Sequence, residues 1–316
     1  MAKENYHDKG YKELLSKKLN FMKFLKNFVK AKWVPLVEAK ALRLCDKEFV
    51  DILFDELRSD LIYYARIAGR DVYFYILTEL QSTVDFIMPF RVYKYQSAIL
   101  TREFENAPKE KRERADYRLP VVIPIVFYNG EDGWFVTRNF KDYLQDADFF
   151  EGVIDFQYTL VDIKMFDREY LLNNRDAISA AMAVDKERGG DFSGLRDTLA
   201  DIISEKQGFH PEEFADFVTW LKHTLKHRVE SEEEANHIVK MVEKGDVAGM
   251  TTGFDIICDN IEARGEARGE ARGEARGFIA AALKLLNKGR SIEETTDLLD
   301  LSEEQVGELK KITAAS

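Results

Sequence analysis

Three side chains that could do chemistry together are Asp60, Glu79 and Gln81, which lie across one predicted β-hairpin. Successive residues of a strand alternate between faces, so Glu79 and Gln81 share a face, and directly opposed residues of a hairpin do so as well. Two facing carboxylates repel each other unless a positive charge lies between them. A hard divalent cation meets this need, and Mg²⁺ commonly uses one or two carboxylates together with a substrate phosphate. The pattern indicates metal-assisted hydrolysis of a phosphodiester.

The pairing across the hairpin depends on its turn. Segments 60–67 and 72–80 are rich in β-branched and aromatic residues, which predicts two strands. Between them, a glycine at the first central position favours a type II′ turn with Gly69-Arg70 as the loop. In that register Ala68 faces Asp71, and Asp60 faces Glu79. A bulge would shift this register.

A second interpretation needs no metal. Asp60 and Glu79 would then form a surface pair whose repulsion is relieved by Arg58, and spacing alone favours this structural explanation. An acidic residue from an N-terminal helix often completes a metal site of this kind. Glu13, Asp55 and Glu56 are all candidates for that role, and nothing in the sequence selects among them.

The hairpin must be positioned by the elements around it. Residues 11–31 predict an amphipathic helix with lysines on its outer face, and 85–105 predict a helix entered through Met88-Pro89. The apolar run 120–128 predicts a strand buried on both faces, and 153–163 predict another strand. From about residue 166 the pattern becomes helical and acidic.

Arg91 and Tyr95 lie one helical turn apart on the predicted helix 85–105. They could contact a DNA phosphate, with the guanidinium giving a two-pronged contact. Alternatively, Arg91 pairs with Asp85 or Glu79 and only holds the helix in place. The sequence leaves both explanations open.

The charge is unevenly distributed. Residues 1–43 hold eleven Lys and Arg against four Asp and Glu, whereas the whole chain has a net charge of −11. A basic N-terminal face fits a protein that meets DNA on one side only, and it equally fits the solvated face of an ordinary helix. Cys45 and Cys258 are far apart, which argues against a disulfide framework or a zinc site. With no apolar run of about 20 residues and no signal-peptide pattern, we expect no membrane span and a cytoplasmic protein.

Two histidine patterns favour ordinary structural roles. His7-Asp8 is typical of a cap at the start of the first helix. His223 and His227 have the spacing of a metal-binding pair, but the glutamate of a His-Glu-x-x-His site is missing. A solvated helix face explains this second pair.

Asp60 followed by a hairpin and Glu79-Leu80-Gln81 resembles the PD-(D/E)XK nuclease core. More closely, the run YFYILTELQSTVDFIMPFRVYKY at 73–95 is similar to the recombination-promoting nuclease (Rpn) family, whose members are also described as putative transposases. The resemblance covers most of residues 5–205. The other matching pieces are His7-Asp8, Ser59-Asp60-Leu61, Arg91 with Tyr95, and LPVVIPIVFYNGEDGW at 119–134.

This resemblance implies a magnesium-dependent DNA endonuclease with a role in recombination or a mobile element. It implies that Asp60 and Glu79 are metal ligands for Mg²⁺, with Mn²⁺ as a substitute. Gln81 stands where the wider superfamily usually has Lys, a departure that is common in the family. Glutamine can orient water through hydrogen bonds but supplies no charge.

The sequence therefore predicts an α/β (α+β) protein with a PD-(D/E)XK nuclease-like core, a central mixed β-sheet flanked by helices, and an α-helical C-terminal region. Two other functions stay open, namely a module that grips DNA without cutting it and a homo-oligomeric assembly protein. The expected divisions are a core at 5–165, an acidic helical region at 166–261, a Glu-Ala-Arg-Gly repeat spacer at 262–277 and a small helical tail at 278–316.

Overall fold

The chain divides into two compact units, Met1–Thr251 and Thr252–Ser316. No helix among the described residues is long and apolar enough to cross a membrane. A computed structural model describes residues 6–45, 61–79, 84–130, 132–188, 192–229, 231–249, 252–256, 277–286, 288 and 290–314.

Within the described residues of the first unit, five strands form one sheet. They are β1 (Arg43–Leu44), β2 (Leu61–Ile67), β3 (Arg70–Glu79), β4 (Val121–Tyr128) and β5 (Thr159–Asp162). Their spatial order is β1-β2-β3-β4-β5, with β1 to β3 antiparallel and β3 to β5 parallel. This confirms the predicted mixed sheet. The strand predicted over 153–163 is shorter, because Gln157 forms only an isolated bridge with Asn139 before β5 begins.

The turn between β2 and β3 differs from the prediction. Ile67 pairs with Arg70, so the two-residue loop is Ala68-Gly69. Both loop residues have a positive φ, 48° at Ala68 and 78° at Gly69, which is the pattern of a type I′ turn. The predicted type II′ turn is wrong. A type I′ turn follows the right-handed twist of the two strands, and the chain accepts a strained alanine to form it.

The predicted hairpin register is wrong for the same reason. Asp71 pairs with Arg66, and not with Ala68 as expected. Every described partner is displaced by two positions, and a shift of two leaves the same residues on the same face of the sheet. The expected direct pairing of Asp60 with Glu79 depended on the earlier register, and Asp60 itself lies outside the described residues.

The helices of the first unit cover both faces of the sheet. The predicted helix 11–31 is two helices that meet at Lys17, whereas the helix entered through Met88-Pro89 is confirmed. They are α1 (Tyr6–Ser16), α2 (Lys18–Phe28), α3 (Met88–Asn106), α4 (Lys109–Arg112), α5 (Arg168–Asn173), α6 (Ala177–Lys186), α7 (Phe192–Ser204), α8 (Pro211–Leu225) and α9 (Glu232–Lys244).

One face of the sheet packs against α1 and α2 through aromatic rings. Phe21 of α2 stacks on Tyr63 of β2, with ring centroids 4.2 Å apart, and Tyr11 of α1 meets Phe127 of β4 edge-on at 4.8 Å. The Tyr63 hydroxyl donates to the carbonyl of Leu15, 2.9 Å away. These contacts fix the N-terminal helices across the strands.

The opposite face packs against α3. The shared core is formed by Ile62, Tyr73, Tyr75, Val126 and Tyr158 from the sheet side and Met88, Val92, Tyr95 and Ile99 from the helix. These apolar residues recur at every second position along the strands and at every third or fourth position along the helix. One face of each element is therefore apolar.

The second unit contains helices at 252–256 and α10 (277–286), α11 (Ile292–Leu299) and α12 (Glu303–Ala314). Ile279, Ala282 and Leu309 form its small core together with Leu301. The predicted start of α11 is confirmed, since Ser291 and Glu294 form a reciprocal capping box. Residues 262–276 of the repeat spacer lie outside the described residues, and self-association through this region stays a prediction.

Candidate active site at the carboxyl ends of the parallel strands

The carboxyl ends of β3, β4 and β5 meet at one edge of the sheet. Glu79 pairs with Tyr128, and Tyr128 pairs with Asp162, so these three residues stand side by side at the ends of neighbouring strands. At the usual strand spacing, the main chains of Glu79 and Asp162 are about 10 Å apart. Ligands of open sheets with parallel strands bind preferentially at this kind of edge.

The structure describes only part of the predicted carboxylate site. The main chain of Glu79 ends β3, while its side chain lies outside what is described. Asp60 and Gln81 are both outside the described residues, as are Asp55 and Glu56. Asp60 directly precedes Leu61, the first residue of β2, which pairs with Ile76, three residues before Glu79.

Glu13, the remaining helix candidate, is an exposed residue of α1. Its main-chain carbonyl accepts a hydrogen bond from the Ser16 hydroxyl at 2.7 Å. Whether its carboxylate completes the site stays a prediction.

Arg91 and Tyr95 occupy the first turns of α3, close to this edge. The Arg91 guanidinium contacts the carboxylate of Asp85 at 2.6 Å, and both side chains are three-quarters or more buried. Asp85 is one of the two partners that we expected for Arg91 if this side chain holds the helix in place. Tyr95 is 5% exposed, and its ring lies 5.2 Å from that of Tyr75 in the core. The structure therefore gives both residues packing roles, and their predicted contacts with DNA stay predictions.

Asp162 is an acidic residue at this edge that sequence reasoning missed. It is 4% exposed, and its carboxylate accepts from the main-chain N–H groups of Lys164 at 2.9 Å and Trp134 at 3.4 Å. The second of these hydrogen bonds joins the end of β5 to the loop after β4. The only sequence signal was its place at the end of an apolar strand.

A buried polar network lies directly beyond β4. Asp185, near the end of α6, is almost wholly buried, and its carboxylate accepts from the Asn129 amide at 2.6 Å and from the Tyr11 hydroxyl at 3.3 Å. Arg188 forms a salt bridge with the same carboxylate through Nη2 and a hydrogen bond through Nε at 3.0 Å. One carboxylate thus ties α1, the end of β4 and α6 together.

Arg228 extends this network on its outer side. Its guanidinium donates to the main-chain carbonyls of Val184, at 3.2 Å, and Glu187. Burial lowers the pKa of Arg228, and burial followed by the nearby Asp185 charge raises the pKa of the Tyr11 hydroxyl well above its ordinary value. Tyr11 is therefore a neutral donor to Asp185 at physiological pH.

The loop after β4 is shaped by a close approach of its own main chain to Tyr128. A Cβ added to Gly130 would lie 2.1 Å from the Tyr128 hydroxyl oxygen, and Tyr128 is fully buried. The same ring meets Trp134 at 5.0 Å. Glycine is therefore required at 130 for the chain to turn away from the strand end.

The predicted metal ligands at this edge are Asp60 and Glu79. Oxygen donors of this kind fit a hard cation such as Mg²⁺ or Mn²⁺ rather than a soft one. Across the described part of the chain, no three His, Cys, Asp or Glu side chains are grouped closely enough to hold a metal ion. Three described carboxylates near this edge already have partners: Asp85 is bound by a guanidinium, Asp162 by main-chain N–H groups, and Asp185 by Arg188, Asn129 and Tyr11.

Comparison with known proteins gives consistent matches. The profile of the family described as "Putative transposase, YhgA-like" matches residues 5–213. Recombination-promoting nuclease RpnD of Escherichia coli O157:H7 is 28% identical over 171 residues, which cover 53% of this chain and 62% of that protein. Recombination-promoting nuclease RpnC of Escherichia coli K12 is 24% identical over 201 residues, 63% of this chain and 64% of the relative.

A third relative carries a different description. Inactive recombination-promoting nuclease-like protein RpnE of Escherichia coli K12 is 23% identical over 169 residues, 53% of this chain and 54% of its own length. The chain thus spans less than two thirds of the length of each of these relatives. No solved structure matches the chain.

Proposed function

This chain belongs to the family described as "Putative transposase, YhgA-like", and on that premise we propose that it is a metal-dependent DNA endonuclease that acts in recombination or in a mobile element. It would hydrolyse phosphodiester bonds at the edge where β3 and β4 end. The observation that carries the proposal is the position of Glu79, at the end of a strand that is antiparallel to β2 and parallel to β4.

The strand order supports this assignment. An antiparallel hairpin, a helix on one face and a strand parallel to the second arm of the hairpin occur here in chain order as β2, β3, α3 and β4. This is the arrangement that the resemblance to the PD-(D/E)XK core implies. Asp60 precedes the first hairpin strand, and Glu79 ends the second.

In this proposal Asp60 and Glu79 hold the divalent cation, and Gln81 orients the attacking water by hydrogen bonds. When bound, the metal lowers the pKa of water and offsets the negative charge that develops on the phosphate. Arg91 fixes the start of α3 through Asp85, which holds the helix beside the end of β3. Cytoplasmic location and dependence on Mg²⁺ or Mn²⁺ are parts of the same proposal.

A second function has specific support, namely DNA binding on the same fold with weak or no cleavage. Gln81 supplies no positive charge where the superfamily usually has lysine, and one relative is described as inactive. Replacing Gln81 with lysine separates the two functions. If charge at this position limits the reaction, Gln81→Lys will cut DNA faster than the wild type.

The test is cleavage of supercoiled plasmid by the purified protein with Mg²⁺, with Mn²⁺ and with a chelator. We expect nicked or linear product with the metals and none with the chelator. Glu79→Gln and Asp60→Asn should each slow cutting by about 100-fold or more, because each removes a charged metal ligand while nearly keeping side-chain shape.

Asp197→Asn is the matched control. Asp197 is a 62% exposed residue of α7 that pairs with the neighbouring Arg196, and it belongs to none of the strands at this edge. Its substitution makes the same change of charge and should leave the cutting rate within about twofold. Equal rates of cutting by the wild type and Glu79→Gln would contradict the proposal. So would plasmid that stays intact under conditions where a known endonuclease cuts it.

A further inference from the structure

A groove lies at the other end of the sheet, where the hairpin turn approaches the end of α3. Its volume is about 860 Å³. The turn contributes Gly69-Arg70-Asp71, β1 contributes Arg43, and the end of α3 with the segment after it contributes residues 106–108, Lys111 and 117–121. From Arg70 at the start of β3 to Glu79 at its end, a strand of this length spans about 30 Å.

Four cationic side chains line this groove, and all are exposed. Arg118 donates to the main-chain carbonyls of Tyr117 at 2.7 Å and Ala115 at 3.0 Å. In the described part of the chain, no carboxylate lies within salt-bridge distance of the other three. The four are Arg43, Arg70, Lys111 and Arg118.

The two carboxylates of the groove are each held by a tyrosine. The Tyr64 hydroxyl donates to Asp71 at 2.6 Å, and the Tyr73 hydroxyl donates to Glu103 at 3.0 Å. Both carboxylates are therefore hydrogen-bonded to tyrosine hydroxyls and not to the cations of the groove. Four cations against two carboxylates leave the groove with a positive balance, although the whole chain carries −11.

Aromatic and apolar groups lie among the cations. Tyr117 is half-buried, whereas Leu119 and Val121 are 39% and 51% exposed on the same lining. Sites for single-stranded nucleic acid combine a positively charged groove with aromatic rings on which bases stack. Arginine is suited to phosphate because its planar guanidinium donates two parallel hydrogen bonds.

We propose that this groove binds a single strand of DNA. Its phosphates would lie on Arg43, Arg70 and Lys111, and a base would stack on Tyr117. The choice of DNA over another polynucleotide rests on the proposed function. The groove itself does not, because every residue that forms it is distant from the strand end at which cleavage is proposed.

The test is fluorescence anisotropy with a labelled DNA strand of about 12 nucleotides, a length within the range of known single-strand sites. It is carried out with the full chain in chelator, so that cutting plays no part. The triple variant R43A/R70A/K111A should bind at least about tenfold more weakly and should reduce the slope of log affinity against log salt by about 2. Tyr117→Ala should weaken binding about tenfold, and Tyr117→Phe should not, because the ring is kept.

Arg66→Ala is the matched control for charge. Arg66 lies on the same hairpin, 4.0 Å from Asp71, and does not line the groove. Its removal should leave both the affinity and the salt slope unchanged, and thermal melts of all variants check that they fold. Wild-type affinity and slope in the triple variant would overturn the proposal, as would displacement of the strand by a mononucleotide at equal affinity. If plasmid cleavage fails while these variants weaken binding, only the proposed endonuclease activity is lost.

Discussion

The two ends of the sheet are built in different ways. At the carboxyl ends of β3 to β5, polar side chains are buried and joined to one another, with Asp185 accepting from Asn129, Tyr11 and Arg188. At the hairpin end, cationic side chains such as Arg70 stand exposed around a groove. At the first end, the buried side chains bond to one another, so a substitution of one disturbs the others. At the second end, the exposed cations are not needed for folding.

This contrast follows from where the residues lie in the sequence. The network beyond β4 draws on Tyr11, Asn129 and Asp185, from three separate parts of the chain, so it exists only in the folded state. At the hairpin end only the turn is local, since the loop Ala68-Gly69 and the neighbouring Arg70 are consecutive. The groove beside it joins separate segments, but its cations are exposed side chains that are not bonded to one another. Substitutions at the carboxyl end should therefore reduce stability, while those at the hairpin end should act mainly on binding.

The largest effect is expected from Asp185→Ala. The substitution leaves the Arg188 guanidinium without its partner and removes the acceptor for the Tyr11 hydroxyl and the Asn129 amide. Breaking one partner of a buried ion pair typically costs about 3–5 kcal/mol of unfolding free energy. Denaturant unfolding followed by circular dichroism measures this loss.

Asp197→Ala is the control for that prediction. Asp197 is 62% exposed and pairs with Arg196 on the helix surface, so its removal should cost less than about 1 kcal/mol. If the two variants were equally stable, the buried network would not be what distinguishes the carboxyl end of the sheet.

A smaller effect is expected from Gly130→Ala. The added Cβ would meet the hydroxyl of Tyr128, which is fully buried and cannot move aside without disturbing the strand end that pairs with Glu79. Overpacking of this kind costs about 1–3 kcal/mol. We expect a lower melting temperature and, because the proposed site shares this edge, slower plasmid cleavage.

Gly133→Ala tests whether the cost comes from the contact. Gly133 lies in the same loop, and a Cβ added there has no atom within 4 Å. The melting temperature should change little. A comparable loss in both variants would show that the backbone conformation of the loop disfavours alanine, and that the approach to Tyr128 does not set the cost.

Much of the fold could be predicted from local sequence patterns. The alternation along β2 and β3, the apolar run of β4 and the Pro89 start of α3 each depend on residues close together in the chain. Pairing the strands also gave the prediction that Glu79 and Gln81 share one face of the hairpin with Asp60. The expectation of a PD-(D/E)XK type of core came from the resemblance alone, because periodicity predicts the elements but not their order in a sheet.

Other features could not be predicted because they depend on contacts between distant segments. Asp185 lies on a helix whose sequence gives no sign that it meets Asn129, and Asp162 accepts a main-chain N–H from a loop some thirty residues away. The hairpin turn was mispredicted for a local reason. Glycine rules favoured a loop that begins at Gly69, whereas the loop begins one residue earlier and Ala68 takes a positive φ, a conformation for which alanine gives no sequence signal.

The smallest effect is expected from Ala68→Asn, which tests the turn at the hairpin end. At φ 48° an alanine is strained by roughly 1 kcal/mol, whereas asparagine tolerates this conformation and forms the favoured Asn-Gly type I′ turn. Ala68→Asn should therefore raise the unfolding free energy by about 0.5–1 kcal/mol, while Ala68→Val, which is β-branched, should lower it. Thermal melts of the wild type and the two variants give this order of stability.

Because Ala68 does not line the groove, affinity for the DNA strand should stay constant across the series. If valine were as stable as asparagine, the positive φ would carry no strain, and a change of affinity would show that the turn and the groove are coupled.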